Sequence, residues 1–379
     1  MPVQYPLLEL ATTPIWKGDL GELKCVDVVP ETHDVTSFYF KSRQINGALF
    51  SYHPGQFITF QLLIGGKRVN RTYTLSSSPT RPYTLSVTIK RIPNGLVSNW
   101  MHENMKKGSL VEAIGPSGSF SFVETPSWNK KYLFLSGGSG ITPMLSMSRC
   151  LTDLKINADI AFVHNARSEK DLIAKDELSQ LSYYNKKFSP TYICDRGSEQ
   201  WHGPTGYFSG EKLEAIVPDF KEREVFVCGP APYMEMVKQI LLEREFDMDR
   251  FHSESFNFFE LKGATEVAND QPSIQNAPLE DKVIQGDFIL ELRRPGKIQR
   301  FSIPKTKSIL QALKDQGTVL PFGCQEGICG TCRALKTSGS VEMQSQGGML
   351  KREEEEGYIL LCCSYPKSDL SIELSDGAA

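Results

Sequence analysis

The chain has 379 residues, too many for one compact core, with 40% hydrophobic and 23% charged residues and a formal net charge of −3. Two or three soluble domains suit that length, and the near-neutral balance gives no reason to expect a nucleic-acid partner. Nine cysteines are too few for a disulfide scaffold, so a reducing interior is expected.

The opening Met1-Pro2-Val3-Gln4-Tyr5-Pro6 lacks the basic start and apolar run of a signal peptide, and no stretch approaches the length of a membrane span. A cytoplasmic location is therefore expected. Residues 1–20 read as an N-terminal arm without a legible role. Over residues 21–125, short alternating runs such as Phe57–Leu62 and Tyr83–Ile89 are broken by Gly, Pro and Ser. Such even spacing predicts an antiparallel β-barrel, interrupted by one helix over Val97–Met105. Between two of its strands lies Arg71-Thr72-Tyr73-Thr74-Leu75-Ser76-Ser77. Arg71 can hold a phosphate while Tyr73, two residues on and on the same strand face, packs against a flat ring. A surface arginine beside a core tyrosine fits the same residues equally well. Gly95-Leu96-Val97-Ser98, at the predicted helix start, offers a second phosphate cradle; taken alone, an ordinary capped helix start is the better reading.

From 126 to 262 strands alternate with helices. Tyr132–Leu135, Asp159–Val163 and Val225–Cys228 are buried-strand candidates, each followed by a polar or glycine-rich turn. That rhythm predicts a doubly wound parallel sheet. Gly137-Gly138-Ser139-Gly140-Ile141-Thr142-Pro143 joins the first strand to a helix, where small residues and the helix dipole favour a pyrophosphate. A tight turn without a ligand is the competing reading, and the G-x-G-x-x-G pattern is absent. Cys228-Gly229-Pro230 stands at the C-terminal end of a parallel strand, where such sheets bind ligands, although a lone buried cysteine is normally inert packing. Glu254, in His252-Ser253-Glu254-Ser255-Phe256, is by default a solvated carboxylate, and His252 is read as structural.

Residues 263–285 are polar and aperiodic, a linker. In 286–379 a hairpin over Phe288–Ile303 and a helix over Ser308–Gln316 precede the cysteines, with a last strand near Tyr358–Cys362. Cys324, Cys329 and Cys332 form C-x4-C-x2-C, and Cys362 follows after 29 residues. This is plant-type [2Fe–2S] spacing. Gly323, Gly327 and Gly330 supply the tight turns around it. Structural zinc prefers two C-x2-C knuckles and fits poorly. Cys363 is the one ambiguity, because neighbours on a strand face opposite ways and only one can reach the metal. Glu353–Glu356 reads as a solvated helix face, with a docking patch as the alternative.

Together these motifs resemble the ferredoxin–NADP reductase superfamily over residues 21–379. The resemblance implies an FAD-binding barrel, an NAD(P)-binding α/β domain and a ferredoxin β-grasp domain of α+β class. Arg71, Tyr73, Thr74, Thr88, Ile89, Lys90, Gly95, Val97 and Ser98 would then hold the flavin. Gly137, Gly138, Gly140, Thr142, Pro143, Cys228, Gly229 and Pro230 would hold the nicotinamide nucleotide, with Arg167 and Ser168 on its adenosine half. Thr74, Cys228 and Glu254 would line the site of hydride transfer, and Phe256 would lie near the flavin ring. The family's C-x-x-x-P favours Cys362 over Cys363 as fourth ligand, since Pro366 follows it by four. A pocket with one arginine and no second basic residue nearby would favour NADH over NADPH.

The implied enzyme passes electrons from NAD(P)H through FAD and the cluster to an acceptor protein. A hybrid-cluster protein is the leading acceptor on the sequence, with a Rieske-type oxygenase or demethylase, or a small molecule, as alternatives. Residues 281–379 hold 13 acidic and 13 basic residues, so steering by one large negative field is not expected there.

Overall fold

The structure, a computed structural model, describes residues 15–16, 21–43, 48–125, 130–255, 287–294, 297–318, 320, 327, 332–345 and 351–374. It divides into two compact units, residues 1–256 and 257–379.

In the first unit, β1 (Ile15–Trp16) runs parallel to β4 (Leu49–Phe50). The arm therefore has a visible anchor. Trp16 is buried against Phe50, with ring centroids 5.9 Å apart, and its Nε1 donates to Gly115 O at 2.8 Å. Six antiparallel strands make the barrel: β2 (Gly21–Pro30), β3 (Val35–Ser42), β5 (Phe57–Ile64), β6 (Lys67–Thr74), β7 (Leu85–Lys90) and β8 (Leu110–Ser117), in spatial order β6-β5-β8-β2-β3-β7. An antiparallel bridge between Leu75 and Val87 joins the two edge strands, which closes the sheet and removes its free edges. Period-two patterning drives this: Leu23, Cys25, Phe38, Phe40, Ile58 and Phe60 point inward, while Lys24 and Lys41 face solvent. Helix α1 (Leu96–Asn104) covers one mouth with Val97 and Met101, one residue ahead of its predicted span at both ends.

The parallel sheet follows. It comprises β9 (Lys131–Gly137), a 3-10 turn at Gly138–Ile141, α2 (Thr142–Asp153), β10 (Asp159–Ala166), α3 (Lys175–Tyr184), β11 (Phe188–Cys194), α4 (Gly210–Ile216), β12 (Glu224–Gly229), α5 (Ala231–Glu243) and β13 (Phe251–Ser255). Strand order is β11-β10-β9-β12-β13, parallel throughout. The order reverses between β9 and β12, which opens a crevice at their carboxyl ends, the usual ligand position in such sheets. Strands buried on both faces carry unbroken apolar runs. Phe134, Phe162 and Phe226 face α2 and the barrel, whereas Leu133, Leu135, Val163 and Val227 face Val237 and Leu241 of α5. Val35 and Phe120 of the barrel enter the first of these clusters, with the Phe120 ring edge-on to Phe226 at 5.4 Å. Barrel and parallel sheet share one apolar seam.

The second unit is a mixed sheet of β14 (Asp287–Arg294), β15 (Lys297–Pro304), β16 (Arg333–Ser338), β18 (Tyr358–Leu360) and β20 (Leu370–Glu373), ordered β15-β14-β20-β16-β18. A small pair, β17 (Val341–Met343) with β19 (Ser364–Pro366), lies beside α7 (Lys351–Glu355) in the chain. Helix α6 (Ile309–Asp315) buries Ile309, Leu310 and Leu313 on the sheet and is capped by Ser308, whose Oγ accepts from Gln311 N at 3.3 Å. The expected hairpin is β14 with β15. The expected last strand is shorter than predicted: it ends at Leu360, and residues 361–363 turn. The linker, 263–285, lies outside the described residues. Among the described residues no helix is long and apolar enough to cross a membrane.

Candidate nucleotide, flavin and cluster sites

The glycine loop and the Cys228 motif lie in different parts of the sequence, and the crevice brings them into contact. A Cβ at Gly140 would sit 2.4 Å from the Cys228 carbonyl oxygen and 2.5 Å from Gly229 N. Both obstacles are backbone, so only glycine lets the loop close on β12. Gly137 and Gly229 also touch beneath the Tyr233 ring, where a Cβ on Gly229 would lie 2.8 Å from that ring and 3.1 Å from Gly137 N. Tyr233 OH accepts from Asn165 Nδ2 at 2.8 Å. Sequence reading missed Tyr233 and Asn165; the only cue was an aromatic three residues after Pro230.

The loop fits an anionic dinucleotide. Gly138 adopts a φ of 53°, Pro143 sits in the first turn of α2, and no side chain caps that helix. Thr142 N bonds to Ser139 O and Pro143 has no N–H, so this turn offers a phosphate the close backbone approach of its glycines and the favourable end of the helix dipole. Beside the loop, His164 Nε2 and Asn165 Oδ1 are buried without a partner. Burial lowers the His164 pKa to about 3, so the imidazole is neutral. Arg167 and Ser168 follow at the end of β10. Arg167 is exposed, with Nη2 3.9 Å from Asp34 Oδ2, and Ser168 Oγ donates to Asp171 at 2.7 Å.

On the barrel, Arg71 is exposed while Tyr73 is half-buried against Phe60, with ring centroids 6.1 Å apart. Burial raises the Tyr73 phenol pKa, so it stays protonated. Gly95 starts α1 without a side-chain cap, which leaves first-turn amides for a flavin phosphate. Ser98 Oγ is already engaged, accepting from Ile92 N at 3.1 Å, and Val97 is core. Thr88 also points inward, its Oγ1 donating to Ser76 Oγ at 2.8 Å, and Lys90 Nζ pairs with Asp34 at 3.0 Å. Of the 88–90 segment, Ile89 is likewise buried, so backbone is what this segment offers a ligand.

The barrel and the parallel sheet meet at the residues expected for hydride transfer. Thr74 Oγ1 donates to Glu254 Oε2 at 3.4 Å, and Glu254 is the β13 neighbour of Cys228 on β12. Burial, and then the nearby Glu254, push the Cys228 thiol well up. Burial also pushes Glu254 up to about 8, only partly opposed by the Thr74 hydrogen bond, although some of its surface reaches solvent. Near neutral pH the pair is a thiol and a carboxylic acid, and Glu254 keeps a proton. Phe256 lies outside the described residues.

In the second unit, Cys324 and Cys329 lie outside the described residues, as do Gly323 and Gly330. Gly327 N donates to Cys362 Sγ at 3.2 Å, and Cys362 N donates to Cys332 Sγ at 3.4 Å. Backbone amides aimed at sulfur are what thiolate ligands of an iron–sulfur cluster require. Gly327 has a φ of 72°, and a Cβ there would lie 2.7 Å from Cys363 Sγ. Both adjacent cysteines therefore flank the same glycine, so strand alternation does not separate them. Residues 361–363 are a turn, in which side chains need not alternate. Cys362 Sγ accepts the Gly327 amide, and Cys363 Sγ donates to Leu360 O at 3.6 Å.

Residues 22–122 match the family described as Oxidoreductase FAD-binding domain, 134–239 that described as Oxidoreductase NAD-binding domain, and 293–367 that described as 2Fe-2S iron-sulfur cluster binding domain. The chain belongs to the ferredoxin–NADP reductase superfamily, as a three-domain oxidoreductase that uses FAD, a nicotinamide nucleotide and a [2Fe–2S] cluster. It is 42% identical to the glycine betaine monooxygenase reductase subunit of Pseudomonas aeruginosa, over 97% of this chain and 98% of that one. It is 39% identical to the stachydrine N-demethylase reductase subunit of Rhizobium meliloti, over 94% and 97%. The solved phthalate dioxygenase reductase is 25% identical, with a TM-score of 0.56 over 94% of this chain and 98% of that one. These relatives lend no support to a hybrid-cluster protein as acceptor, the leading expectation from sequence, and favour the oxygenase alternative.

Two outcomes follow. Folded Glu254 holds its proton to about pH 8, while the unfolded carboxyl releases it near 4.5. Its contribution to stability is therefore full below pH 4.5 and is lost as pH rises towards 8. Glu254→Gln should flatten that part of the pH dependence in denaturant melts; an unchanged slope contradicts the raised pKa. For the cluster, Cys362→Ser should abolish the [2Fe–2S] absorption and bound iron, whereas Cys363→Ser keeps both. The reverse pattern would make Cys363 the ligand.

Proposed function

We propose that this chain is the reductase component of a Rieske-type oxygenase system that demethylates a betaine-like quaternary ammonium compound, with NADH as electron donor. The observation that carries this reading is the near full-length similarity, cluster domain included, to reductase subunits of glycine betaine monooxygenase and stachydrine N-demethylase. The quaternary ammonium substrate belongs to the oxygenase; this chain contributes only electrons.

FAD accepts two electrons as a hydride and the cluster passes them on singly, chemistry the cofactors supply when bound. The protein's part is binding, orientation and charge. The backbone of the Gly137–Gly140 turn and the α2 dipole hold the nucleotide pyrophosphate, and Gly140 lets that loop reach the end of β12. Arg71 and the first turn of α1 hold the flavin phosphates, while Tyr73 packs on the flavin. Thr74 orients the Glu254 acid, which retains its proton at neutral pH. A neutral Cys228 thiol and a neutral Glu254 keep fixed negative charge away from the point where a hydride crosses, where a low dielectric would make it costly. Asp34 and Asp171, beside Arg167 and Ser168, repel the extra phosphate of NADPH, which supports NADH. Gly327 and the amide groups around Cys332 and Cys362 hold the cluster sulfurs.

The test is anaerobic. Holoprotein reduced with one equivalent of NADH is mixed with a betaine-demethylating Rieske oxygenase, or with a hybrid-cluster protein, and acceptor reduction is followed optically. The oxygenase should be reduced at least tenfold faster. Faster reduction of the hybrid-cluster protein, or steady NADH oxidation with a small acceptor and no protein partner, would overturn the proposal.

A further inference from the structure

Helix α2 begins at the nucleotide loop, and its barrel-facing side carries Thr142, Ser146, Arg149 and Asp153, at spacings that share one face of a helix. Three of these four grip the barrel. Ser146 Oγ donates to Ser77 O at 2.6 Å. Arg149 Nη1 donates to Ser76 O, while its Nε and Nη2 form a fork to Glu177 of α3 at 2.7 and 2.5 Å. Asp153 receives Thr80 at 2.5 Å and a two-point contact from Arg81 at 2.9 Å. Arg149 is 8% exposed; Glu177 balances its charge within the nucleotide domain through Nε and Nη2, which leaves Nη1 to reach across to the barrel.

The barrel holds its side of the contact firmly. Ser76 N donates to Ser86 O at 2.9 Å, and Ser76 Oγ accepts from Thr88 at 2.8 Å. Ser77 Oγ accepts from Ser86 N at 2.9 Å and pairs with Tyr52 OH at 2.8 Å. With both hydroxyl groups and the Ser76 N–H engaged on the barrel, the two serines present their carbonyls to α2. They follow Thr74 by two and three residues, and Leu75, between Thr74 and Ser76, donates its N–H to Gln56 O at 2.8 Å. One end of this linkage is the residue that touches Glu254; the other is the helix that begins at the glycine loop.

We propose that Arg149 and Ser146 are positioning residues for hydride transfer, fixing the separation of the nucleotide loop at Gly137–Pro143 from the flavin strand at Thr74. The inference rests on the reductase reading for the identity of the step. In that step a C–H bond of reduced nicotinamide breaks, both electrons leave with the hydride, the nucleotide is oxidised and the flavin is reduced. Rates of such transfers respond steeply to distance: a misplacement of about 1 Å costs roughly a hundredfold. Neither residue contacts the predicted phosphate-binding atoms, so their loss should spare nucleotide affinity.

The experiment uses FAD- and cluster-loaded protein in stopped-flow reduction by NADH, with NAD+ binding measured by calorimetry and amide hydrogen exchange followed over Ser76–Arg81. Arg149→Met should lower the limiting reduction rate by roughly ten- to a hundredfold, leave NAD+ affinity within about twofold and speed exchange in that segment. Arg149→Lys, which still reaches one carbonyl, should recover part of the rate. Ser146→Ala should give a smaller loss of the same kind, and it decides the matter if Arg149→Met does not fold. An unchanged limiting rate in folded, FAD-loaded Ser146→Ala and Arg149→Met overturns the proposal, as does a loss confined to NAD+ affinity. If NADH fails to reduce the wild-type flavin, the reductase reading falls; unchanged exchange in Ser146→Ala then overturns the clasp as well.

Discussion

The contact on which the rest depends is that of Gly140 with the carbonyl of Cys228, at the carboxyl ends of two adjacent parallel strands. Glycine is needed there because a side-chain carbon would collide with backbone, and backbone does not yield as a flexible side chain does. The contact lets a phosphate-binding loop on β9 and a thiol on β12 line one crevice. It also fixes where α2 starts, and therefore which of its side chains face the barrel. From that one approach follow the proposed nucleotide site, the distance of the glycine loop from Thr74 and the polar grip on Ser76 and Ser77.

Charge management at the seam follows from burial. Cys228 and Glu254 lie side by side on neighbouring strands, and both are pushed towards their protonated forms by desolvation. A pair that would carry one negative charge in water, on Glu254, carries none here near neutral pH. Under the proposed function, an anionic nucleotide would approach, and a hydride would cross, without meeting a fixed negative charge. The barrel contributes the hydroxyl of Thr74, a neutral donor, to the same point.

The iron–sulfur domain was legible because metal geometry dictates cysteine spacing, and the parallel sheet was legible because strands buried on both faces leave unbroken apolar runs. The glycine loop and the Cys228 motif could each be read, but not their contact, which depends on the strand order β9-β12 and leaves no local pattern. Tyr233 and Arg149 were invisible for the same reason: a helix residue gains its role from what faces it. Strand β20 escaped notice because four residues between Asp369 and Leu374 are too few to show a period. The choice between Cys362 and Cys363 was framed on strand alternation, and the structure replaces that strand with a turn. Trp16 shows the opposite limit, since a single aromatic in an aperiodic arm gave no sign that it would be buried.

Replacing Gly140 by Ala and measuring NAD+ affinity in FAD- and cluster-loaded protein addresses the central contact most directly. The added carbon meets the Cys228 carbonyl at 2.4 Å, so the loop must withdraw from the crevice. Affinity should fall at least about tenfold, or ~1.4 kcal/mol, while flavin and iron content stay at wild-type levels. Undiminished NAD+ binding by that variant would contradict the placement of the nucleotide site at this crevice.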